Sequence, residues 1–295
     1  MEKRLALEYL FQDRPSAAAP ADYDMLCVKV GDAELYGELM WPDGGYKGNR
    51  PCVILCHGYP GVARNDDLAF ALRRIGCVVL TPHHRGAWGS QGTYLISNCV
   101  EDAVHLYNYV RSGSFCEKYH VDPGAVFLIG HSMGGNSVLQ AARKVKDLRG
   151  LVLLAPYDPT RFLRDGNETA LRTLLETGYI LRSGGIEAIL EDIRRHLEDY
   201  AFENVYPDVK DLNICCFTGT LDTIAPPWMI TPLWTRVAAH KTEAVQRLVE
   251  LSSAHGFCDS RIAVIREIAS FLDTILSRPV ADAKGVLSQE TFTTY

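Results

Sequence analysis

The chain has 295 residues, of which 47% are hydrophobic, and a formal net charge of −6 at pH 7. This apolar content is enough for a large core, and an α/β fold of this size often forms one domain. The absence of a basic stripe argues against nucleic acid as a partner. The sequence shows no secretory leader, no stretch near 18 apolar residues and nine cysteines, most of them inside apolar runs. It therefore predicts a cytoplasmic protein with no membrane span.

In chain order, a hairpin pattern comes first and is followed by alternating strands and helices. Residues 25–30 and 33–40 are predicted to form an antiparallel hairpin with its turn at Gly31-Asp32. Further strands are predicted over residues 52–56, 77–81, 125–129, 151–154, 212–219 and 245–251, and helices over residues 66–75, 100–111 and 135–144. Short apolar strands separated by helices are typical of a parallel sheet covered on both faces. The predicted fold class is α/β, with a mostly parallel, doubly wound sheet of eight strands.

The strand at residues 125–129 runs directly into Gly130-His131-Ser132-Met133-Gly134, and a helix-forming segment follows. This is the Gly-x-Ser-x-Gly pattern in the strand–turn–helix context that a nucleophile elbow needs. The flanking glycines, Gly130 and Gly134, leave room for the sharp turn. Ser132 is therefore the predicted nucleophile of a serine hydrolase.

A serine nucleophile needs a base and an acid that orients the base, and two later loops supply them. Asp222 follows the strand predicted at 212–219, and His255 follows the strand at 245–251. Alone, Asp222 also fits a turn before proline, and His255 also fits a loop histidine before glycine. The order serine, acid, histidine, with each residue just beyond a strand, favours a catalytic triad.

An oxyanion hole is predicted from the loop after the strand at 52–56, which reads His57-Gly58-Tyr59-Pro60-Gly61. The backbone N–H of Tyr59 and that of Met133, next to the nucleophile, are the two expected donors. Gly58 and Gly61 allow the backbone to approach closely. The alternative for this segment is an ordinary Pro-Gly turn.

These motifs resemble those of the α/β-hydrolase superfamily over residues 25–278. The oxyanion loop, the Arg85-Gly86-Ala87-Trp88-Gly89-Ser90 segment with Gly92, and the helix start at Val100-Glu101-Asp102-Ala103 resemble the prolyl oligopeptidase-like branch. That resemblance implies a peptidase or a small esterase of the acyl or cinnamoyl type. One position departs from the pattern: many relatives have an aspartate two residues before the Arg-Gly pair, where this chain has His83.

Between residues 157 and 210 the strand–helix alternation stops, and two helical patterns appear at 168–181 and 186–200. We interpret residues 157–210 as a helical cap that sets substrate choice, inserted in a core of residues 25–156 and 211–278. An N-terminal extension (1–24) and a polar tail (279–295) complete the predicted organisation. The candidate substrate-binding residues are His131, Trp88, Tyr179 and Phe257.

Neither a metal nor a cofactor is predicted. His83 and His84 are adjacent and do not converge as an i, i+4 pair does, and no phosphate-binding loop follows the first strands. The predicted function is a serine hydrolase that cleaves a small-molecule carboxylic ester through an acyl-enzyme. A peptidase or amidase of the prolyl oligopeptidase-like branch and a non-catalytic binding protein of the same fold remain as alternatives. A homo-oligomer remains open.

Overall fold

The computed structural model describes residues 5–15 and 19–278, which form one eight-stranded sheet flanked by helices. The strand order is β1-β2-β4-β3-β5-β6-β7-β8; β1, β2 and β4 pair antiparallel, and all other pairs are parallel. The strands are β1 (Asp22–Val30), β2 (Ala33–Trp41), β3 (Arg50–Cys56), β4 (Val78–Pro82), β5 (Val121–His131), β6 (Gly150–Leu154), β7 (Ile214–Gly219) and β8 (Gln246–Leu251). The predicted mostly parallel sheet and its opening hairpin are confirmed.

The helices α1 to α9 lie in the connections between strands, and α10 follows the last strand. They are α1 (Asp66–Arg74), α2 (Ile96–Val110), α3 (Gly113–Tyr119), α4 (Met133–Ala142), α5 (Arg161–Arg164), α6 (Glu168–Glu176), α7 (Ile186–Arg195), α8 (Tyr206–Val209), α9 (Thr231–Ala239) and α10 (Arg261–Leu276). Helix α2 begins four residues before its predicted start, and α3, α5, α8 and α9 were not predicted. Helices α6 and α7 end at Glu176 and Arg195, before their predicted ends at residues 181 and 200.

The sheet separates two hydrophobic cores, which confirms the doubly wound architecture. Successive residues of β3 point to opposite faces: Val53 and Leu55 belong to one core, and Cys52, Ile54 and Cys56 belong to the other. All seven residues of β3 are buried. A fully buried strand explains why the sequence shows a continuous apolar run there instead of an alternating one.

The N-terminal part of the chain packs against the core before the sheet begins. Leu5 and Leu10 are buried in the core, and the Arg74 side chain donates hydrogen bonds to the carbonyls of Tyr9 and Leu10. Strand β1 starts at Asp22, three residues before the start predicted from the sequence. The predicted tail, residues 279–295, lies outside the described residues.

The segment predicted as a cap, residues 157–210, contains the short helices α5 to α8. One buried aspartate, Asp158, ties two parts of this segment together, and another, Asp192, fastens the segment to the rest of the molecule. Asp158 accepts hydrogen bonds from the backbone N–H groups of Thr160 and Phe202 at 2.9 and 3.2 Å. Asp192, on α7, accepts from the backbone and hydroxyl of Ser97 at the start of α2 at 2.9 and 2.6 Å. The division into core and cap remains a prediction.

Candidate active site

Ser132 is the single residue between β5 and α4, and its backbone has a φ of 57° and a ψ of −121°. A residue other than glycine is strained at positive φ, and strained backbone of this kind is often found at functional positions. Surrounding hydrogen bonds hold the turn: the N–H of Ser132 donates to Leu154 at 2.8 Å, and its carbonyl accepts from Gly135 and Tyr157 at 2.8 and 3.0 Å. The serine therefore sits at the carboxyl edge of the sheet, where an elbow places a nucleophile.

The glycines beside this turn are there for space. A Cβ on Gly130 would overlap the backbone of Gly134. A Cβ on Gly134 would lie 2.5 Å from the carbonyl oxygen of Cys56 in β3. Neither glycine has a positive φ, so close packing of the strand, the turn and the helix explains both. This arrangement matches the reason for which the sequence analysis selected them.

Asp222 and His255 meet at the same edge of the sheet. The His255 Nδ1 atom lies 2.7 Å from the Asp222 Oδ2 atom, and the second carboxylate oxygen accepts the N–H groups of Ile224 and Ala225 at 2.8 and 2.9 Å. Burial acts to raise the pKa of Asp222, but the bond with His255 and these backbone donors outweigh it, so the pKa lies below its usual range. The aspartate is thus an ionised acceptor that holds Nδ1 as the donor nitrogen.

Ser132 and His255 are not hydrogen-bonded to each other in the described part of the chain. The bond between a nucleophile and its base is often long without a substrate and tightens in the complex. The residue before the nucleophile links the two loops instead. The Nε2 atom of His131 lies 3.0 Å from the backbone carbonyl oxygen of His255, and the two rings pack with their centres 5.0 Å apart. His131 therefore contacts the candidate base and is itself only 4% exposed.

The loop after β3 approaches the nucleophile as the oxyanion prediction requires. A Cβ on Gly58 would lie 2.9 Å from the Cβ of Ser132, so this glycine lets the loop pass directly over the serine. Met133 is the first residue of α4, and its N–H has no intrahelical acceptor. A Cβ on Gly61 would contact the His57 ring at 2.8 Å. The loop that carries Tyr59 and the first turn of α4 thus both adjoin Ser132.

His57 orients the candidate oxyanion peptide, a role that the sequence did not reveal. Its Nδ1 atom lies 2.7 Å from the carbonyl oxygen of Gly58. Its Nε2 atom accepts the backbone N–H of His84 at 3.3 Å, which leaves Nδ1 as the donor. The Gly58 carbonyl and the Tyr59 N–H belong to one planar trans peptide and point in opposite directions. Fixing the carbonyl therefore fixes the direction of the N–H.

A buried carboxylate, that of Asp102, holds His84 and Arg85 beside His57. Asp102 on α2 accepts the backbone N–H of Arg85 at 2.9 Å and its side chain at 2.5 Å, and it lies 3.3 Å from His84 Nδ1. Burial holds the pKa of His57 well below its ordinary value, so the ring is neutral. In the sequence, the Arg85-Gly86 segment pointed to this region. The contacts of Asp102 and His57 could not be predicted, because they join residues far apart in the chain.

The four candidate substrate-binding residues occupy different environments. Trp88 is 44% exposed, and its indole N–H donates to the carbonyl of Pro60 at 3.0 Å, beside the oxyanion loop. Tyr179 is 88% exposed on the segment after α6. Phe257 has no exposed surface and packs in the core, so the structure does not support contact with a substrate there. His131 is directed at His255, as described above.

The described residues contain no group of three or more His, Cys, Asp or Glu side chains that could hold a metal ion. The rings of His57, His83 and His84 lie near one another, with His57 4.9 Å from His84 and 5.9 Å from His83. The nitrogens of His57 are already occupied by backbone groups. No helix in the part of the chain that the structure describes has the length and apolar character needed to cross a membrane.

The strand order and the turn at Ser132 are those of the α/β-hydrolase fold, and the Asp222–His255 pair lies at the same edge of the sheet. Comparison with known proteins agrees. Residues 47–175 match the family model for serine aminopeptidase, S33. The chain is also 31% identical over 113 residues to monoglyceride lipase from Rattus norvegicus, a match that covers 36% of this chain and 35% of that protein. The match thus spans about a third of the length of this curated relative.

Solved structures support the same fold. The chain is similar to Est1E from Butyrivibrio proteoclasticus, with a TM-score of 0.64 and 16% identity, covering 86% of this chain and 99% of that one. It is also similar to a puromycin hydrolase, with a TM-score of 0.65 and 16% identity, covering 93% of this chain and 42% of that one. At these identities the likeness establishes the fold.

Proposed function

We propose that this protein is a serine hydrolase that cleaves a carboxylic ester of a small molecule through an acyl-enzyme intermediate. The observation that carries the proposal is the 2.7 Å contact between His255 Nδ1 and Asp222 at the sheet edge where the strained turn presents Ser132. A base already oriented by an ionised acid beside a nucleophile elbow is the arrangement that activates a serine hydroxyl.

The proposed reaction has two halves. The Ser132 Oγ atom attacks the ester carbonyl while His255 Nε2 takes the hydroxyl proton, and the N–H groups of Tyr59 and Met133 hold the negative oxygen. The imidazolium then gives its proton to the leaving alkoxide as the C–O bond breaks. A water molecule, deprotonated by the same ring, attacks the acyl-enzyme. The imidazolium then returns this proton to Ser132 Oγ as its bond to the acyl carbon breaks and the acid is released. Asp222 stabilises the imidazolium in both halves without taking its proton.

Ester substrates are favoured because this chain is similar over 113 residues to a monoglyceride lipase. The match to the serine aminopeptidase family model supports an amidase or peptidase as the second candidate. That match ends at residue 175, before Asp222 and His255, so it bears only on the nucleophile and oxyanion half of the site. The prolyl oligopeptidase-like branch and the cytoplasmic location remain predictions.

The test is hydrolysis of p-nitrophenyl esters of increasing acyl length, a monoacylglycerol and an aminoacyl p-nitroanilide by wild type and Ser132→Ala. We expect ester turnover that falls at least about 10³-fold in the variant. Ser137→Ala is the matched control, since Ser137 lies on α4 and its hydroxyl donates to the carbonyl of Met133. Turnover of the anilide alone would favour the amidase. Retention of ester activity by Ser132→Ala would overturn the proposal.

A further inference from the structure

The side chain of Tyr59 connects the candidate oxyanion loop to the segment predicted as a cap. Its hydroxyl donates a hydrogen bond to the carbonyl of Leu175, in the last turn of α6, at 2.6 Å. Its ring packs edge-on against Tyr94 with centres 5.6 Å apart. The residue whose backbone N–H is proposed to bind the oxyanion is therefore held at its far end by the cap segment.

Gly178 makes this contact possible. A Cβ at this position would overlap the Tyr59 hydroxyl. Gly178 is not among the residues with positive φ, so its backbone conformation is open to any residue. The lack of a side chain instead gives the phenol access to the end of α6. Tyr59 and Gly178 thus fit together as a pair, which we call the Tyr59–Gly178 clasp.

Other bonds fasten the cap segment to the core independently of the clasp. The Arg182 side chain donates to the carbonyls of Ser90 and Gly92 at 2.6 and 2.7 Å. Its backbone N–H donates to Gly86 at 2.9 Å, and its carbonyl accepts from Tyr94 at 2.8 Å. Loss of the single bond from Tyr59 to Leu175 therefore leaves the cap segment attached. The effect of the clasp on the site is separable from the effect of losing the cap.

We infer that the Tyr59–Gly178 clasp positions the Tyr59 backbone N–H for oxyanion binding, so the cap segment sets the geometry of the oxyanion hole. This inference rests on the proposed function. His57 fixes the Gly58 carbonyl on one side of the peptide, and the clasp fixes the Tyr59 side chain on the other. A donor aimed at the developing oxyanion stabilises the transition state more than the bound ester, so misplacing it lowers kcat rather than raising KM.

Tyr59→Phe tests the inference because it removes the hydroxyl and keeps the backbone N–H. On p-nitrophenyl acetate, whose acyl group is too short to depend on the cap for binding, we expect kcat to fall roughly tenfold with KM nearly unchanged. The affinity for a small boronic acid inhibitor, which mimics the tetrahedral intermediate, should fall by the same factor. Gly178→Ala should act in the same direction, and the double variant should be no worse than the more affected single variant.

Tyr46→Phe is the matched control. The Tyr46 hydroxyl donates to the carbonyl of Arg74, at the end of α1, at 2.6 Å, and it lies outside the site. It should leave kcat unchanged. Wild-type kcat and inhibitor affinity in Tyr59→Phe would overturn the inference while leaving the proposed function intact, as would a change in KM alone. If wild type neither hydrolyses any substrate nor is labelled at Ser132 by a fluorophosphonate, the proposed function and the inference both fail.

Discussion

At the scale of single residues, the hydrogen bonds that each side-chain atom already makes determine which atoms remain for chemistry. Asp222 uses one oxygen for two backbone N–H groups and the other for His255. Both nitrogens of His57 are engaged with backbone groups. His255 has its Nδ1 atom engaged, which leaves Nε2 as the nitrogen that can exchange a proton with Ser132. The geometry thus distinguishes His255, the proposed base, from His57 and His131, whose ring nitrogens contact backbone groups.

The hydrogen bonds of Asp222 lead to a prediction for its replacement by asparagine. Asp222→Asn keeps the shape, but its amide group either turns a donor toward His255 Nδ1 or abandons the backbone contacts. The ring then adopts the wrong tautomer, and kcat should fall by roughly 10³- to 10⁴-fold with little change in KM. Steady-state kinetics on the best p-nitrophenyl ester measure this, and Asp259→Asn, close to His255 in the chain, serves as control. An asparagine variant with kcat within tenfold of wild type would contradict the assigned role.

At the scale of elements, the cap segment stabilises a helix of the core. Asp192 on α7 accepts both the backbone N–H and the hydroxyl of Ser97 in the first turn of α2. Asp192 is 4% exposed, so water cannot replace it readily. Asp192→Ala should lower the free energy of unfolding by about 2 kcal/mol, because it removes a helix cap and leaves two partly buried donors of Ser97 without this acceptor. Urea unfolding measures the loss.

The control for this variant lies in the same segment. Asp165 pairs with Arg161 four residues earlier on the surface, and such exposed pairs contribute about 0.5 kcal/mol or less. Asp165→Ala should therefore be nearly neutral. Equal losses in the two variants would show that the Asp192–Ser97 contact does not carry the stability assigned to it.

The Asp192–Ser97 contact shows why some elements could not be predicted from the sequence. Strands β3 to β8 and the turn at Ser132 follow from local apolar runs and glycine spacing. The start of α2 does not, because its cap lies 95 residues away. Helix α9 begins with a proline in its first turn, where the missing N–H costs nothing, yet the nearby prolines favour a loop in a local reading. The triad candidates could be predicted from the sequence because each follows a strand. The role of His57 could not be predicted, because it depends on contacts among His57, His84 and Asp102.

At the scale of the whole molecule, the buried histidines make stability depend on pH. Burial is the main cause that lowers the pKa of His131 to about 4 and that of His83 to about 4, and it lowers the pKa of His57 well below its ordinary value. The unfolded chain titrates these groups near pH 6.5. Between that value and about pH 4 the unfolded state therefore binds more protons than the folded state. Stability must fall as the pH drops through this window.

His131 provides the sharpest test of this dependence. The difference between its folded and unfolded pKa corresponds to about 3 kcal/mol lost once the pH is below both values. His131→Gln keeps a donor for the His255 carbonyl, because the glutamine amide nitrogen takes the place of Nε2, but it has no proton to gain. In urea unfolding at several values between pH 4.5 and 7.5, His131→Gln should lose stability less steeply with acid than wild type. His120→Gln, at an exposed helix end, should keep the wild-type slope. Equal slopes for His131→Gln and wild type would mean that another group controls the acid sensitivity.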